Sequence, residues 1–320
     1  MASPNLSEIV TTTLRNRTGS LADNVSDNNA LLSRLRQRGN VKPANGGRTI
    51  VQELEYAENG TFMWYAGYQT LDITPSDVFS AAEYDWKQAA VSVSISGLEE
   101  RMNSGPEEVI DLLASRIKNA EKTMANNMAI AVYSNGTGSG GLQLGGLQLL
   151  VADTPTSGIV GGINRAQWSF WQNQYSTDGS ASIKGSIQTF MNYLYVRTVR
   201  CTDKPDLIMT DNEFYVAYLS SLQAIQRITD DKMASAGFTN LMYMTAPVVL
   251  DGGIGGACPT NHMYMLNTDY IFLRPHPQMN FAPLGDTRTS INQDATVRFI
   301  GFQGNMTLSN AFLQGVLYAS

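Results

Sequence analysis

Cys258 and His262 lie four residues apart, a spacing at which a thiol and an imidazole can meet as a thiolate pair for nucleophilic catalysis. The segment around them holds Gly252, Gly253, Gly255, Gly256 and Pro259, and a loop of this composition gives catalytic geometry little support. Gly136, Gly138 and Gly141 match the spacing of a dinucleotide-binding loop. That mechanism needs a preceding strand and a following helix whose N-terminus meets the phosphates, whereas these glycines follow a helical pattern and read as the loop that ends it. The only imidazoles are His262 and His276, and neither has a metal-ligand neighbour at useful spacing. Trp168, Phe170, Trp171 and Tyr175, after Arg165, have the composition of a base-stacking or sugar-binding cluster, but aromatics this close together read as core or interface. These patterns assign no catalytic, metal or cofactor-binding residue, and no cofactor is expected.

The elements around these residues say more. The stretch from Thr49 to Ser96 reads as two β-arms joined by an aromatic tip of Phe62, Met63, Trp64, Tyr65 and Tyr68. On the return arm Ala89, Val91, Val93 and Ile95 alternate with Ala90, Ser92, Ser94 and Ser96, the period of a half-buried strand. On the outgoing arm Ile50, Gln52, Leu54 and Tyr56 share one face, with Glu53 and Glu55 on the other. Arms of about 20 residues would reach on the order of 60 Å. A compact chain of this size has a radius of gyration of only roughly 20 Å. The tip is therefore expected to project and to need a partner.

Beyond the ribbon, Ser104, Pro106 and Glu107 signal a helix start, and Val109, Leu113, Ile117, Ala120, Met124, Met128 and Ala131 continue as an apolar stripe. This predicts a helix from Pro106 to Tyr133, about 42 Å long. A mixed α/β region follows: helices on Ile183, Ile187, Phe190 and Leu194 and from Asp211, with strands at 206–209, 247–250, 263–267 and 271–273. Strand-like segments at 296–303 and 306–318 close the chain. The first 47 residues read as an arm with one short helix, Asp27 to Arg38, stopping at Gly39 and Asn40.

Length allows one to three domains, and 43% hydrophobic with 16% charged residues describes a folded chain. No apolar run approaches a membrane span and no secretory signal pattern opens the chain, so a soluble, unexported protein without a membrane partner is expected. Two cysteines are too few for a disulfide framework. A net charge of -6 argues against a dedicated nucleic-acid-binding domain. Charge is uneven, however. Arg15, Arg17, Arg34, Arg36, Arg38 and Lys42 outnumber Glu8, Asp23 and Asp27, so residues 1–47 carry +3 and the rest carry -9. The ribbon concentrates Glu53, Glu55, Glu58, Asp72, Asp77, Glu83 and Asp85 against Lys87.

In order, a basic arm, an acidic β-ribbon, a long helix, a mixed α/β middle and closing strands resemble the major capsid protein of tailed double-stranded DNA bacteriophages, the Hong Kong 97-type fold. The phrases "GGRTIVQELEYAENGTFMWYAGYQTLDI", "AEYDWKQAAVSVSISGLEE" and "GGINRAQWSFWQNQ" resemble major capsid proteins of one phage group. The resemblance implies an α+β fold with an N-arm at 1–47, an extended loop at 48–96, a peripheral domain with spine helix at 97–150, an axial domain at 151–267 and closing peripheral strands at 268–320. It further implies a non-enzymatic protein that assembles with itself as hexamers and pentamers into an icosahedral shell around a packaged genome. The shell would form in the host cytoplasm and persist as the virion capsid. Phe62, Met63, Trp64, Tyr65 and Tyr68 would form subunit interfaces, and Arg15, Arg17, Arg34, Arg36 and Arg38 would face DNA or a scaffold. No N-terminal scaffolding extension is evident, so a separate scaffold is expected, with portal and decoration proteins as further partners. An encapsulin-like nanocompartment shell is the alternative, and a cysteine-dependent hydrolase the rival from another class. Some relatives join a ribbon lysine to an asparagine of another subunit. Lys87, with Glu83 and Asp85 near it, is expected to stay charged and make no such bond.

Overall fold

The computed structural model describes residues 29–102, 112–177, 182–222, 240–252, 256–284, 288–289 and 293–319. Helix α1 (Ala30–Arg38) opens on Asn29, whose side chain accepts the Leu32 N–H, and closes on Gly39 in the left-handed conformation. Ala30, Leu31 and Leu35 are fully buried, so this part of the expected arm is built into the core.

Strands β1 (Ile50–Glu55) and β2 (Phe79–Tyr84) pair antiparallel over six residues, Ile50 opposite Tyr84 and Glu55 opposite Phe79. This paired stem is about 20 Å long, much shorter than the ribbon expected from sequence. The difference lies in the return arm. Strand β3 (Lys87–Ser96) leaves the ribbon and pairs along its whole length with β11 (Ala295–Leu308), whose other edge takes β9 (Ile271–Pro283) and the two residues of β10 (Arg288–Thr289). The alternation of β3 is a real half-buried pattern, but it faces the spine helix: Val93 and Ile95 are buried, with Val93 packing on Ala120 and Ile300.

That spine is α2 (Leu112–Ala131), about 30 Å at ~1.5 Å per residue. Ala120, Met124, Met128 and Ala131 of the predicted stripe are buried. The expected start at Ser104 to Glu107 lies outside the described residues. A reciprocal capping box missed in the sequence opens the short helix Gly97–Met102: Glu99 accepts the Ser96 N–H at 3.1 Å and Ser96 accepts the Glu99 N–H at 3.3 Å.

The second sheet has six strands, in the order β4 (Gln174–Ser176), β12 (Gly315–Tyr318), β8 (His262–Leu266), β5 (Leu207–Thr210), β7 (Ala246–Leu250), β6 (Asn240–Tyr243). Its central strands are apolar without alternation because both faces are covered. Ile208, Val248, Met263, Met265 and Leu317 face α3 (Ile187–Thr198) and α4 (Asn212–Ser221), while Leu207, Met209, Val249, Tyr264, Leu266 and Val316 face the core shared with α1. The closing segment is thus divided. Its strand-like run at 306–318 breaks at 309–314, and β12 crosses into the six-stranded sheet instead of staying with the peripheral strands.

Candidate assembly interface

The ribbon stem is fixed to the body from below. Ile50, Leu54, Ala82 and Tyr84 are buried, and the Gln52 side chain accepts from the Thr307 hydroxyl at 3.2 Å. Glu83 donates its N–H to the Gly161 carbonyl at 2.9 Å. A Cβ on Gly161 would stand 2.7 Å from that of Ala82, and its φ of +59° is a left-handed one, so glycine is required on both counts. Asn305 ties the ribbon base to the glycine loop, donating to the Asp85 carbonyl at 2.9 Å and accepting from Gly145 N–H at 3.1 Å.

The aromatic cluster near residue 170 supplies the rest of the seat. Trp171 is buried and donates its indole N–H to the Val160 carbonyl at 2.9 Å. Arg165, equally buried, donates to the carbonyls of Leu150 and Trp171, and burial pushes its guanidinium down to about 10. Phe170 stacks on Tyr56 at 5.3 Å, and Trp168 meets Tyr56 edge-on at 6.4 Å. Trp171 is therefore core, Phe170 and the exposed Trp168 brace the ribbon at Tyr56, and Tyr175 is exposed on β4. The bracing role follows from Tyr56, which no local pattern joins to residue 170.

Above this seat, residues 56–78 contain no strand. Asn59 holds the neck, accepting from Thr61 and, across the loop, from the Ser76 hydroxyl at 2.8 Å. Asp72 accepts from Thr74 N–H at 2.9 Å and from its hydroxyl, bonds that hold the carboxyl below its ordinary range. On this frame Phe62 is 76% exposed, Trp64 88% and Ile73 93%; Tyr65 and Tyr68 are exposed and Met63 half-buried. Phe62 and Trp64 touch edge to face at 5.6 Å. A set of large apolar side chains this exposed makes the tip the candidate interaction surface of the chain.

The arginines expected to face DNA or a scaffold divide. Arg34 and Arg38 both reach Asp206, at 3.0 and 3.1 Å, and Arg38 also reaches Asp269 at 2.7 Å. Asp206 further accepts from Thr268 N–H and hydroxyl, each at 2.7 Å. These two arginines thus fasten α1 to the six-stranded sheet. Arg36 is exposed and makes no ion pair among the described residues; Arg15 and Arg17 lie outside them. Lys87 donates to the Gly141 carbonyl at 2.6 Å, not to Glu83 or Asp85.

The glycines of the apparent dinucleotide motif follow α2, and Gly136 and Gly141 have positive φ, as a helix-ending loop requires. Cys258 is buried, its sulfur 3.8 Å from the His262 carbonyl, and burial together with Asp211 and Asp251 pushes the thiol well above its ordinary value, the opposite of an activated nucleophile. Among the described residues no group of three or more His, Cys, Asp or Glu side chains could hold a metal ion, and no helix is long and apolar enough to cross a membrane.

No family profile and no curated protein matches the chain. Solved structures match over nearly its whole length. The capsid asymmetric unit of cyanophage A-1(L) has a TM-score of 0.66 at 16% identity, covering 95% of this chain and 96% of that one. A structure from Mycobacterium phage Bobi has a TM-score of 0.56 at 11% identity, covering 98% of each. The holo-SrpI encapsulin complex of Synechococcus elongatus PCC 7942 has a TM-score of 0.56 at 9% identity, covering 97% of this chain and 94% of that one. The fold is the α+β Hong Kong 97-type fold expected from the sequence.

Proposed function

We propose that this chain is the repeating subunit of an icosahedral shell, the major capsid protein of a tailed double-stranded DNA phage, assembling with itself as hexamers and pentamers. The observation that carries this reading is the exposed aromatic tip on a fixed stem: Trp64 is 88% exposed, while β1 and β2 beneath it are locked to the core. Burying Phe62, Met63, Trp64, Tyr65 and Tyr68 against a second copy would supply aromatic anchors of the kind that dominate protein interfaces. The structures of similar fold from phage capsids support the same reading. The role proposed is structural, and the buried Cys258 thiol, pushed toward its neutral form, argues against the rival cysteine-dependent hydrolase.

Arg15, Arg17 and Arg36 remain to contact DNA or a separate scaffold, nonspecifically and with salt-dependent strength. A portal protein is a further partner, the shell forms in the host cytoplasm, and the virion capsid is its destination. Lys87 has its amine engaged by Gly141, so subunits are held by buried apolar surface and strand pairing without isopeptide bonds. Particles boiled in denaturant should run as one 34.9 kDa band.

A nanocompartment shell is the second reading, favoured by the match to the encapsulin complex. Electron microscopy of the purified protein, alone and with a candidate scaffold, tests both: closed shells support assembly, and a subunit that stays monomeric under all conditions refutes it. Nuclease-protected DNA in particles recovered from infected cells distinguishes a capsid from a cargo compartment.

A further inference from the structure

The ribbon loop 56–78 carries Glu58, Asp72 and Asp77 and no cation. Glu58 meets Arg200 at 3.3 Å, whereas Asp72 and Asp77 are exposed and make no ion pair among the described residues. The opposite pattern lies beside β9. Val41 bridges Leu273 in parallel, and the N–H groups of Lys42 and Ala44 donate to the carbonyls of Leu273 and Pro275, each at 3.0 Å, so residues 41–44 add an edge to that sheet. Trp86 holds the chain beyond, donating its indole N–H to the Gly47 carbonyl at 2.9 Å while its ring meets His276 at 5.8 Å. Residues 39–52 and 271–283 contain Lys42, Arg48 and Arg274 and no carboxylate.

Lys42 and Arg48 are exposed and Arg274 is half-buried. The Lys42 Nζ stands 4.8 Å, and the Arg274 Cζ 5.9 Å, from the centre of the Phe272 ring. None of the three cations makes an ion pair among the described residues, and the buried Nε of Arg274 has no hydrogen-bond partner there. Like charges gathered around one ring without a counter-ion repel one another, and an anion would relieve them. Phe272 and Arg274 alternate with the core residues Ile271 and Leu273 and stand opposite Thr307 and Asn305 of β11. Those two hold the ribbon root, at Gln52 and at the Asp85 carbonyl. The cations and the root of the ribbon therefore share one face of the sheet.

We propose that Lys42, Arg48 and Arg274 form the landing surface for the acidic ribbon loop of a second copy, whose Asp72 and Asp77 neutralise cations that the subunit itself leaves unpaired. The inference rests on the assembly reading and names the receiving side of that contact. Equivalent copies in a closed shell turn the same face the same way, so a loop rooted on this face and carried past the subunit's margin comes over the same face of its neighbour. The contact is heterologous, loop to strip, and can close around a ring. Exposed ion pairs contribute little each. The aromatic tip supplies the buried area, and the charges fix register and speed encounter.

The test is charge reversal in the full chain, read as the subunit concentration at which shells appear by sedimentation and electron microscopy. Lys42→Glu with Arg274→Glu should raise that concentration about tenfold, because like charges then face one another, and Asp72→Lys with Asp77→Lys should do the same. A chain carrying all four reversals should assemble at the parent's concentration. Arg274 is half-buried and Asp72 accepts from Thr74, so Lys42→Glu with Arg48→Glu, and Asp77→Lys alone, take their place if the urea midpoint of the unassembled subunit falls. Assembly that ignores the reversals, or four reversals that assemble no better than two, would overturn the proposal. Unchanged assembly with loss of packaged DNA would assign the strip to nucleic acid and overturn it equally. Failure of the parent chain itself to assemble would strike the assembly reading, and this surface with it.

Discussion

Trp64 and Trp171 both sit in short aromatic runs, yet the tip leaves Trp64 88% exposed while the ribbon seat leaves Trp171 1% exposed with its indole N–H satisfied by Val160. The seat is surrounded by chain from four directions: the hairpin Ile159–Val160 with Ile163–Asn164, the carbonyl of Leu150, Tyr56 of the stem and Arg165. The tip has only its own turn to lean on. Aromatic composition therefore marks two different things here, a packed seat around Trp171 and an exposed surface at the tip, and exposure is what tells them apart.

The contrast breaks most sharply at the seat. Trp171→Ala should cost about 3–5 kcal/mol of subunit stability, the usual range for deleting a buried aromatic, read as a fall in urea midpoint. Loss of less than about 1 kcal/mol would mean that the seat is no better packed than the tip. Asp206→Ala comes next. It leaves the Thr268 N–H and Arg34 without their acceptor, and since Arg34 and Arg38 are partly solvated the loss should be about 2 kcal/mol.

Within α1, Arg34→Gln should lower the midpoint measurably. Arg36→Gln should leave stability within about 0.5 kcal/mol while reducing the DNA or scaffold retained by particles. Equal destabilisation by both would remove the distinction between fastening and outward-facing arginines. The smallest effect on the subunit belongs to the tip. Trp64→Glu should leave the folded monomer within about 0.5 kcal/mol of the parent yet abolish assembly, as followed by sedimentation and microscopy. A variant that assembles normally, or that unfolds first, would sink the reading of the tip as an interface.

Local pattern was enough for much of this protein. The glycine signal placed the stop of α1 at Gly39, the apolar stripe placed α2, and Asp211 announced α4, whereas the Asn29 cap that opens α1 came only from the structure. The order of elements and three phrases carried the resemblance to the fold, and the aromatic tip was legible because no neighbouring segment supplied it with a core. Partners distant in the chain were decided only by tertiary structure. Strand β3 has the same alternation whether it pairs with β1 or with β11, so sequence could not tell that it leaves the ribbon. Arg34, Arg36 and Arg38 are alike in type and share one helix, and only the position of Asp206 separates the two fasteners from Arg36, which makes no ion pair among the described residues. Period and capping are properties of a few adjacent residues, whereas strand partners and ion pairs join residues up to more than two hundred positions apart, which no short window of sequence contains.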